Sequence, residues 1–288
     1  MKDIEYWIWL SRIEGLNPKI LNELLEKYNN PKTIWNKTRE ELLEDGIKEK
    51  HINEITNSNY RKNLDKYLKY MNQNNIEIIT IKDKYYPDKL KVIYDPPVVL
   101  YVKGNKKILN EISVAIVGCR SCTTYGQNIS KKLAYNLSLN NINVISGLAR
   151  GIDSFAHKGS LVAKGKTIAV VGCGLDRVYP EENTGLFNEI IKNNGVIVSE
   201  YIVGTKPIAK NFPRRNRIIS SLSNGVIVVE AREKSGTLIT VDFALEQGKN
   251  IYAIPGNIDN PNAYGTNNLI KQGAKVLTSI QDILEDLI

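Results

Sequence analysis

From residue 111 onward, short runs rich in Val and Ile alternate with longer stretches of helical texture. No other feature constrains the fold as much. Strand candidates fall at 114–117, 143–146, 168–171, 196–199, 226–229, 251–254 and 275–277, with helical stretches between them at 127–139, 154–163, 185–192 and 237–247. Apolar runs this short suit strands buried on both faces. Strands of that kind separated by helices build a parallel sheet covered on each side. The expected class is α/β, with a Rossmann-like parallel sheet over residues 111–288.

The upstream part has a different texture. Ile4, Trp7, Ile8, Leu10 and Ile13 recur at helical spacing, as do Ile20, Leu21, Leu24 and Leu25. Gly15-Leu16-Asn17-Pro18 and Asn29-Asn30-Pro31 interrupt them. Residues 1–75 are therefore expected to form a small all-helical domain of the helix-hairpin-helix or sterile-alpha-motif (SAM) type, with Trp7, Trp9 and Trp35 in its core. Modules of this kind either touch DNA backbones or only dock against a partner. Residues 76–110, with Pro87, Pro96 and Pro97, read as a strand-rich connector.

Composition narrows the class of function. The chain has 288 residues, 42% of them hydrophobic, enough for a real core and against wholesale disorder. A formal charge of +8 favours an anionic partner: nucleic acid, nucleotide or membrane surface. Three cysteines, Cys119, Cys122 and Cys173, make no disulfide framework. With His51 and His157 they make a thin list for zinc, which needs four well-placed ligands, and no metal is expected. Met1-Lys2-Asp3-Ile4-Glu5 has no signal-peptide core, and no segment nears the roughly 20 apolar residues of a membrane span. A soluble, cytoplasmic protein is expected.

In open α/β sheets, ligands bind at the carboxyl ends of the strands. Here those ends are rich in Gly, Ser and Arg: Gly118-Cys119-Arg120, then Ser146-Gly147 with Arg150-Gly151, then Gly172-Cys173-Gly174, and later Ser235-Gly236-Thr237 and Pro255-Gly256. Glycine there lets a phosphate reach backbone amides at a helix start. Between Glu200 and Glu230 lie five basic residues and no acidic one, centred on Phe212-Pro213-Arg214-Arg215-Asn216-Arg217. Guanidiniums beside a ring suit phosphates and a stacked base, although such a run is also compatible with one Arg paired to a carboxylate and the others solvated. Position 177 is Arg, so the third glycine of a dinucleotide fingerprint is missing, and no Gly-Lys-Ser or Gly-Lys-Thr phosphate loop occurs. No nicotinamide, flavin or ATP cofactor is expected. Asp153 and His157, four apart on one helix, are read either as an acid–base couple or as a capping Asp and a packed His. Asp176 is expected to order its loop through backbone amides, and Cys119 has no evident base to activate it.

These motifs, taken in order, resemble those of bacterial DNA-processing protein A (DprA, also called Smf). The resemblance is carried by Gly118-Cys119-Arg120, the stretch 146–157, the stretch 172–176 with Tyr179-Pro180 and Asn183, then the stretch 212–219 and Ser235-Gly236-Thr237-Leu238. Pro255-Gly256 and Gly265-Thr266-Asn267-Asn268-Leu269-Ile270 with Gly273-Ala274 complete it. It covers the Rossmann-like part and, more loosely, the helical N-terminus. It implies a homodimer that binds single-stranded DNA without sequence preference and loads the recombinase RecA onto it in natural transformation, with no catalytic turnover and so no catalytic residues. The family's Gly-Ser-Arg motif falls on Gly118-Cys119-Arg120, which gives Arg120 a DNA contact, and its Phe-Pro-x-Arg-Asn-Arg motif falls on 212–217. Cys119 departs from the usual Ser. Many relatives continue into a winged helix, which is not expected in this chain.

The single-strand site expected on this basis comprises Gly118 and Arg120 after the first Rossmann strand and Ser146 and Gly147 after the second. Phe212, Arg214, Arg215, Asn216 and Arg217 come from the basic run, and Ser235, Gly236 and Thr237 from a later strand end. One arginine is expected to brace the sheet edge through Glu200 or Glu230, and the stacking face is Phe212, with Phe155 or Tyr179 as alternatives. A rival reading is a nucleoside monophosphate phosphoribohydrolase of similar fold. Its catalytic Glu near a Gly-Gly-x-Gly-Thr loop has no counterpart in Lys234-Ser235-Gly236-Thr237-Leu238-Ile239-Thr240. A third reading makes the chain chiefly a scaffold between recombinase and other proteins.

Overall fold

The computed structural model describes residues 1–287. Seven helices come first: α1 (Asp3–Ser11), α2 (Pro18–Tyr28), α3 (Pro31–Asn36), α4 (Arg39–Glu44), α5 (Glu49–Ile55), α6 (Ser58–Arg61) and α7 (Leu64–Gln73). Their boundaries follow from the residues that interrupt the apolar pattern. Asn17 caps α2 by accepting from the Ile20 amide at 3.0 Å, Pro18 occupies the first turn, and Asn29 ends the helix in the left-handed region at φ 61°. Thr38 and Glu41 form a reciprocal capping box at the start of α4. Trp9 is fully buried and meets Trp35 edge-on at 5.1 Å.

The sheet has nine strands: β1 (Glu77–Thr80), β2 (Val99–Gly104), β3 (Ser113–Val117), β4 (Asn143–Ser146), β5 (Thr167–Val170), β6 (Val196–Ser199), β7 (Gly225–Val228), β8 (Asn250–Ala253) and β9 (Lys275–Val276). Their order across the sheet is β1-β2-β6-β5-β4-β3-β7-β8-β9. β3 to β9 pair in parallel, and the strands expected from the Val/Ile runs sit within a residue or so of their predicted places. The stretch 76–110 supplies two further strands that enter the same sheet: β2 lies antiparallel on β6 and β1 antiparallel on β2. The sheet is mixed and begins at Glu77. The strand–helix rhythm gave no sign of this, because an antiparallel strand added at an edge needs no crossover helix.

Eight more helices complete the chain: α8 (Asp88–Lys91), α9 (Thr124–Leu139), α10 (Ile152–Val162), α11 (Thr184–Lys192), α12 (Asn211–Leu222), α13 (Gly236–Glu246), α14 (Tyr264–Lys271) and α15 (Gln281–Leu287). Side chains of successive strand residues alternate between faces. Leu100, Val102, Ile145, Ile168, Val198 and Val226 turn toward a core shared with α8, α12 and α13. On the opposite face, Val99, Tyr101, Ala169 and Ile197 pack with α11 and the N-terminal helices. Further along that face, Val114, Ile116, Val144 and Ile227 pack with α9, α10 and α15. The N-terminal helices thus cover one half of one sheet face.

Candidate functional site

The chain runs from β3 outward through β4, β5 and β6, then returns through α12 to β7 on the other side of β3. The carboxyl ends of β3 and β7 are therefore a topological switch point, where loops diverge and leave a crevice. A cavity of about 620 Å³ opens there. One wall is Gly118, Cys119 and Arg120 after β3; another is the 232–237 loop that leads from β7 into α13; α12 closes the third side with Phe212, Pro213 and Asn216.

Close approach explains two of the glycines. A Cβ on Gly118 would stand 2.6 Å from Ile152 Cγ1 and 3.0 Å from the Glu230 carbonyl oxygen. A Cβ on Gly147 would stand 2.6–2.7 Å from the Arg215 guanidinium. Gly236, by contrast, has nothing near its absent side chain and leaves the cavity mouth open. It is the first residue of α13, whose cap is Ser235: the Ser235 Oγ accepts from the Thr237 amide at 3.2 Å. The positive end of an eleven-residue helix, with its Thr237 amide held by the Ser235 cap, thus lies at the cavity.

The basic run divides into three environments. Arg217 is 1% exposed. It grips the Glu200 carboxylate with two bonds of 2.8 Å, pairs with Asp95 at 3.0 Å and donates to the Asp95 and Arg214 carbonyls. Burial alone would raise the Glu200 carboxyl, but Arg217 and Arg214 hold it below its ordinary range. Arg217 is thus the bracing arginine, and Glu200 is its partner. Glu230 has other work: it accepts from the Thr123 amide at 2.9 Å and from the Thr123 hydroxyl.

Arg215 is also buried, in the cavity floor. Its Nη1 donates to the Gly147 carbonyl at 2.6 Å and to the Val170 carbonyl, tying α12 to the ends of β4 and β5. Burial pulls its guanidinium below the ordinary range, opposed by Asp153. Asp153 accepts from the Gly147 and Ala149 amides at 3.0 and 3.4 Å, and burial raises its carboxyl against the pull of Arg215. Ser146 lies fully buried beneath this floor, its hydroxyl donating to the Ile116 carbonyl at 2.7 Å. Gly147 is buried beside it.

The third environment is the rim. Arg120 is exposed, and its guanidinium lies over the Phe212 ring at 5.6 Å. It has no carboxylate partner among the described residues. Tyr179 packs against the same ring at 5.3 Å with a 40° tilt and stays 37% exposed, which places two aromatic rings at the mouth. Phe155 lies apart, between Lys131 and Lys158 on α9 and α10. Arg214, exposed, turns away from this cavity into a neighbouring cleft and stands 3.7 Å from Glu200. Asn216 approaches the Gly236 carbonyl at 3.5 Å and lines the cavity. Sequence reasoning missed Arg232 and Lys234, both exposed on the 232–237 loop. Their proximity to a strand end was the available signal.

The structure separates Asp153 from His157 chemically. The buried His157 Nδ1 shares a 2.7 Å hydrogen bond with Thr167 Oγ1, and burial drops its pKa to about 3, so it is no partner for Asp153. Asp176 accepts from the Gly204 amide at 2.8 Å, as expected of a loop-ordering residue. Burial raises the thiols of Cys119 and Cys173, the latter to about 11, which disfavours the nucleophilic thiolate. Among the described residues no group of three His, Cys, Asp or Glu is placed to hold a metal ion, and no helix is long and apolar enough to cross a membrane.

Comparison with known proteins bears on the family and the fold. The model of the DNA recombination-mediator protein A family matches residues 77–288, starting with the first strand of the sheet. Protein Smf of Escherichia coli (strain K12) is 41% identical over 227 residues, a match covering 79% of this chain and 61% of that relative's length. The crystal structure of DNA processing protein A from Streptococcus pneumoniae superposes with a TM-score of 0.84 at 37% identity, covering 99% of this chain and 98% of the other. That of the Helicobacter pylori protein, described for its single-stranded DNA binding mode, gives 0.66 at 33% identity over 73% and 95%. A family match over the whole sheet, joined to a near full-length structural match, places this chain in the DNA recombination-mediator protein A family.

Proposed function

We propose that the chain binds single-stranded DNA at the switch-point cavity, without sequence preference and without catalytic turnover. One observation carries the reading: the exposed Arg120, without a carboxylate partner among the described residues, lies over Phe212 of a half-exposed aromatic pair and lines one cavity with the start of α13. Single strands are held by cations along the backbone and by rings that accept any base. The mouth offers Arg120, Arg232 and Lys234 for phosphates, the α13 amides for a phosphate oxygen, and Tyr179 with Phe212 as the stacking face. Among the described residues the only carboxylate lining the cavity is Asp153, held by two backbone amides and facing Arg215, which supports binding rather than hydrolysis. The single-stranded DNA named for the Helicobacter pylori relative supports the same ligand.

On this proposal the further steps follow family membership: a homodimer in the cytoplasm that passes the coated strand to RecA during natural transformation. The buried residues of the expected site serve it without touching DNA: Ser146, Gly147 and Arg215 by shaping the floor, Arg217 by bracing α12 through Glu200. The test is a fluorescence titration of labelled oligo(dT) at two salt concentrations, against duplex DNA of equal length. Salt-sensitive binding that prefers the single strand and weakens in Arg120→Ala is the expected result. Equal binding to both forms, or none to either, overturns the proposal.

A further inference from the structure

A second cleft, of about 530 Å³, lies on the far side of the segment 206–214, between the N-terminal helices and the sheet. The segment is a ridge one chain thick whose residues take alternate sides. Pro207, Ala209 and Phe212 face the switch-point cavity, whereas Lys206, Ile208, Lys210 and Arg214 face the cleft. Up to Lys210 the sides alternate residue by residue; from Asn211 the chain is α12, where Phe212 and Arg214, two positions apart, diverge because each helical residue turns about 100° from the last.

The chemistry of this cleft repeats that of the first. Lys206, Lys210 and Arg214 are exposed on one wall, and no side-chain hydrogen bond engages either lysine among the described residues. On the opposite wall, Arg12 lies over the Tyr67 ring at 4.6 Å and is fixed there by donating to the Tyr60 and Lys62 carbonyls at 2.9 and 2.8 Å. A guanidinium locked over a tyrosine, facing loose lysines, matches a phosphodiester whose base stacks on the guanidinium plane. Two carboxylates line the cleft: Glu200 is already taken by Arg217, and Glu14 lies exposed at its edge. Arg214 also stands 3.7 Å from Glu200, so Arg12, Lys206 and Lys210 are set against Glu14 and positive charge prevails.

We propose that a strand bound at the switch point crosses the 206–214 ridge and continues into this cleft, so that the N-terminal helices form the second half of one single-strand path. The inference rests on the single-strand reading of the first cavity and extends it to a region whose fold alone gives no binding role.

Two oligo(dT) lengths test it, since a single module engages about 4–16 nucleotides. An oligomer of about 5 nucleotides fills one cavity, and one of about 16 spans both. The double variant Lys206→Glu, Lys210→Glu changes only exposed side chains. It should weaken the long oligomer on the order of tenfold, reduce its log–log salt slope by about 1.4 for two lost phosphate contacts, and leave the short one unchanged. Arg120→Ala should weaken both lengths. No effect of the double variant on the long oligomer, or an equal effect on both lengths, overturns the path. An Arg120→Ala variant that binds the short oligomer normally overturns the switch-point reading instead, and separates the two failures. Lys206→Ala, Lys210→Ala, which carries no added negative charge, should show the same length dependence in smaller degree.

Discussion

The floor and the rim of the switch-point cavity are built from the same residue types and behave oppositely. In the floor, Arg215 and Asp153 are buried, as are the Arg217 and Glu200 side chains behind it, and their polar atoms are largely engaged by one another or by backbone. At the rim, Arg120, Arg232 and Lys234 stand in solvent, and Arg214 is exposed on the far side, toward the second cleft. A buried ion pair is costly to break because the remaining charge is stranded, whereas an exposed cation is free to meet an incoming phosphate. A single basic run thus supplies both buried scaffold, in Arg215 and Arg217, and exposed charge, in Arg214.

The sharpest break in the comparison is Arg217→Ala. It strands the Glu200 carboxylate inside the protein, and a loss of about 3–5 kcal/mol in denaturant unfolding is expected. Binding should be recovered in whatever fraction stays folded. Unchanged stability with lost binding would move Arg217 to the rim.

Acid should act on the same buried layer. His157 is neutral in the folded state with a pKa of about 3, against an ordinary value of 6.5. The unfolded chain therefore binds the extra proton: stability is fully present above pH 6.5 and is lost as the pH falls toward 3. The expected slope is about 1.4 kcal/mol per pH unit in that window. His157→Gln should flatten the stability curve between pH 6.5 and 5. His51, which is less buried and also shifted downward by burial, leaves only a smaller slope of the same sign. A curve unaltered in His157→Gln would mean that another group carries the acid sensitivity.

At the rim, Arg120→Ala should leave stability within about 0.5 kcal/mol, as for a surface substitution. It should also lower the salt slope of single-strand binding by about 0.7, the share of one phosphate contact. A measurable fall in stability would place Arg120 in the scaffold.

Much of this was legible in the sequence, for identifiable reasons. The buried parallel strands announce themselves as Val/Ile runs because both their faces must be apolar. The glycines at the strand ends announce the crevice. β1 and β2 were legible as strands at 76–110 but not as members of the main sheet, since an antiparallel edge carries no periodic mark of its partner. The three arginines of α12 could not be told apart, because a helix turns each one about 100° from the last and only the neighbouring strands decide which is buried. That one of them would brace the edge was readable from the flanking Glu200; that it would be Arg217, and that Arg214 would face a second cleft, was not. Ser146 illustrates the same limit: a strand-end serine reads as a ligand group, yet as the last residue of β4 it is fully buried and spent on the Ile116 carbonyl.

Ser235 stands at the boundary between floor and rim, and the smallest predicted effect is the one that locates it. Its hydroxyl oxygen accepts from the Thr237 amide at 3.2 Å and its proton goes to Thr237 Oγ1 at 3.0 Å, so in the free protein it is a helix cap. Ser235→Ala should cost about 1 kcal/mol of stability, the usual value of a lost cap. A phosphate docked at the start of α13 would compete for that same amide. The variant, having already released it, should then bind oligo(dT) as well as the wild type or slightly better. Its stability deficit should also shrink when the oligomer is present, because the phosphate replaces the cap. Weaker binding with unchanged stability would mean instead that the hydroxyl itself reaches the strand. In that case the rim begins at Ser235, and the helix amides lie behind it.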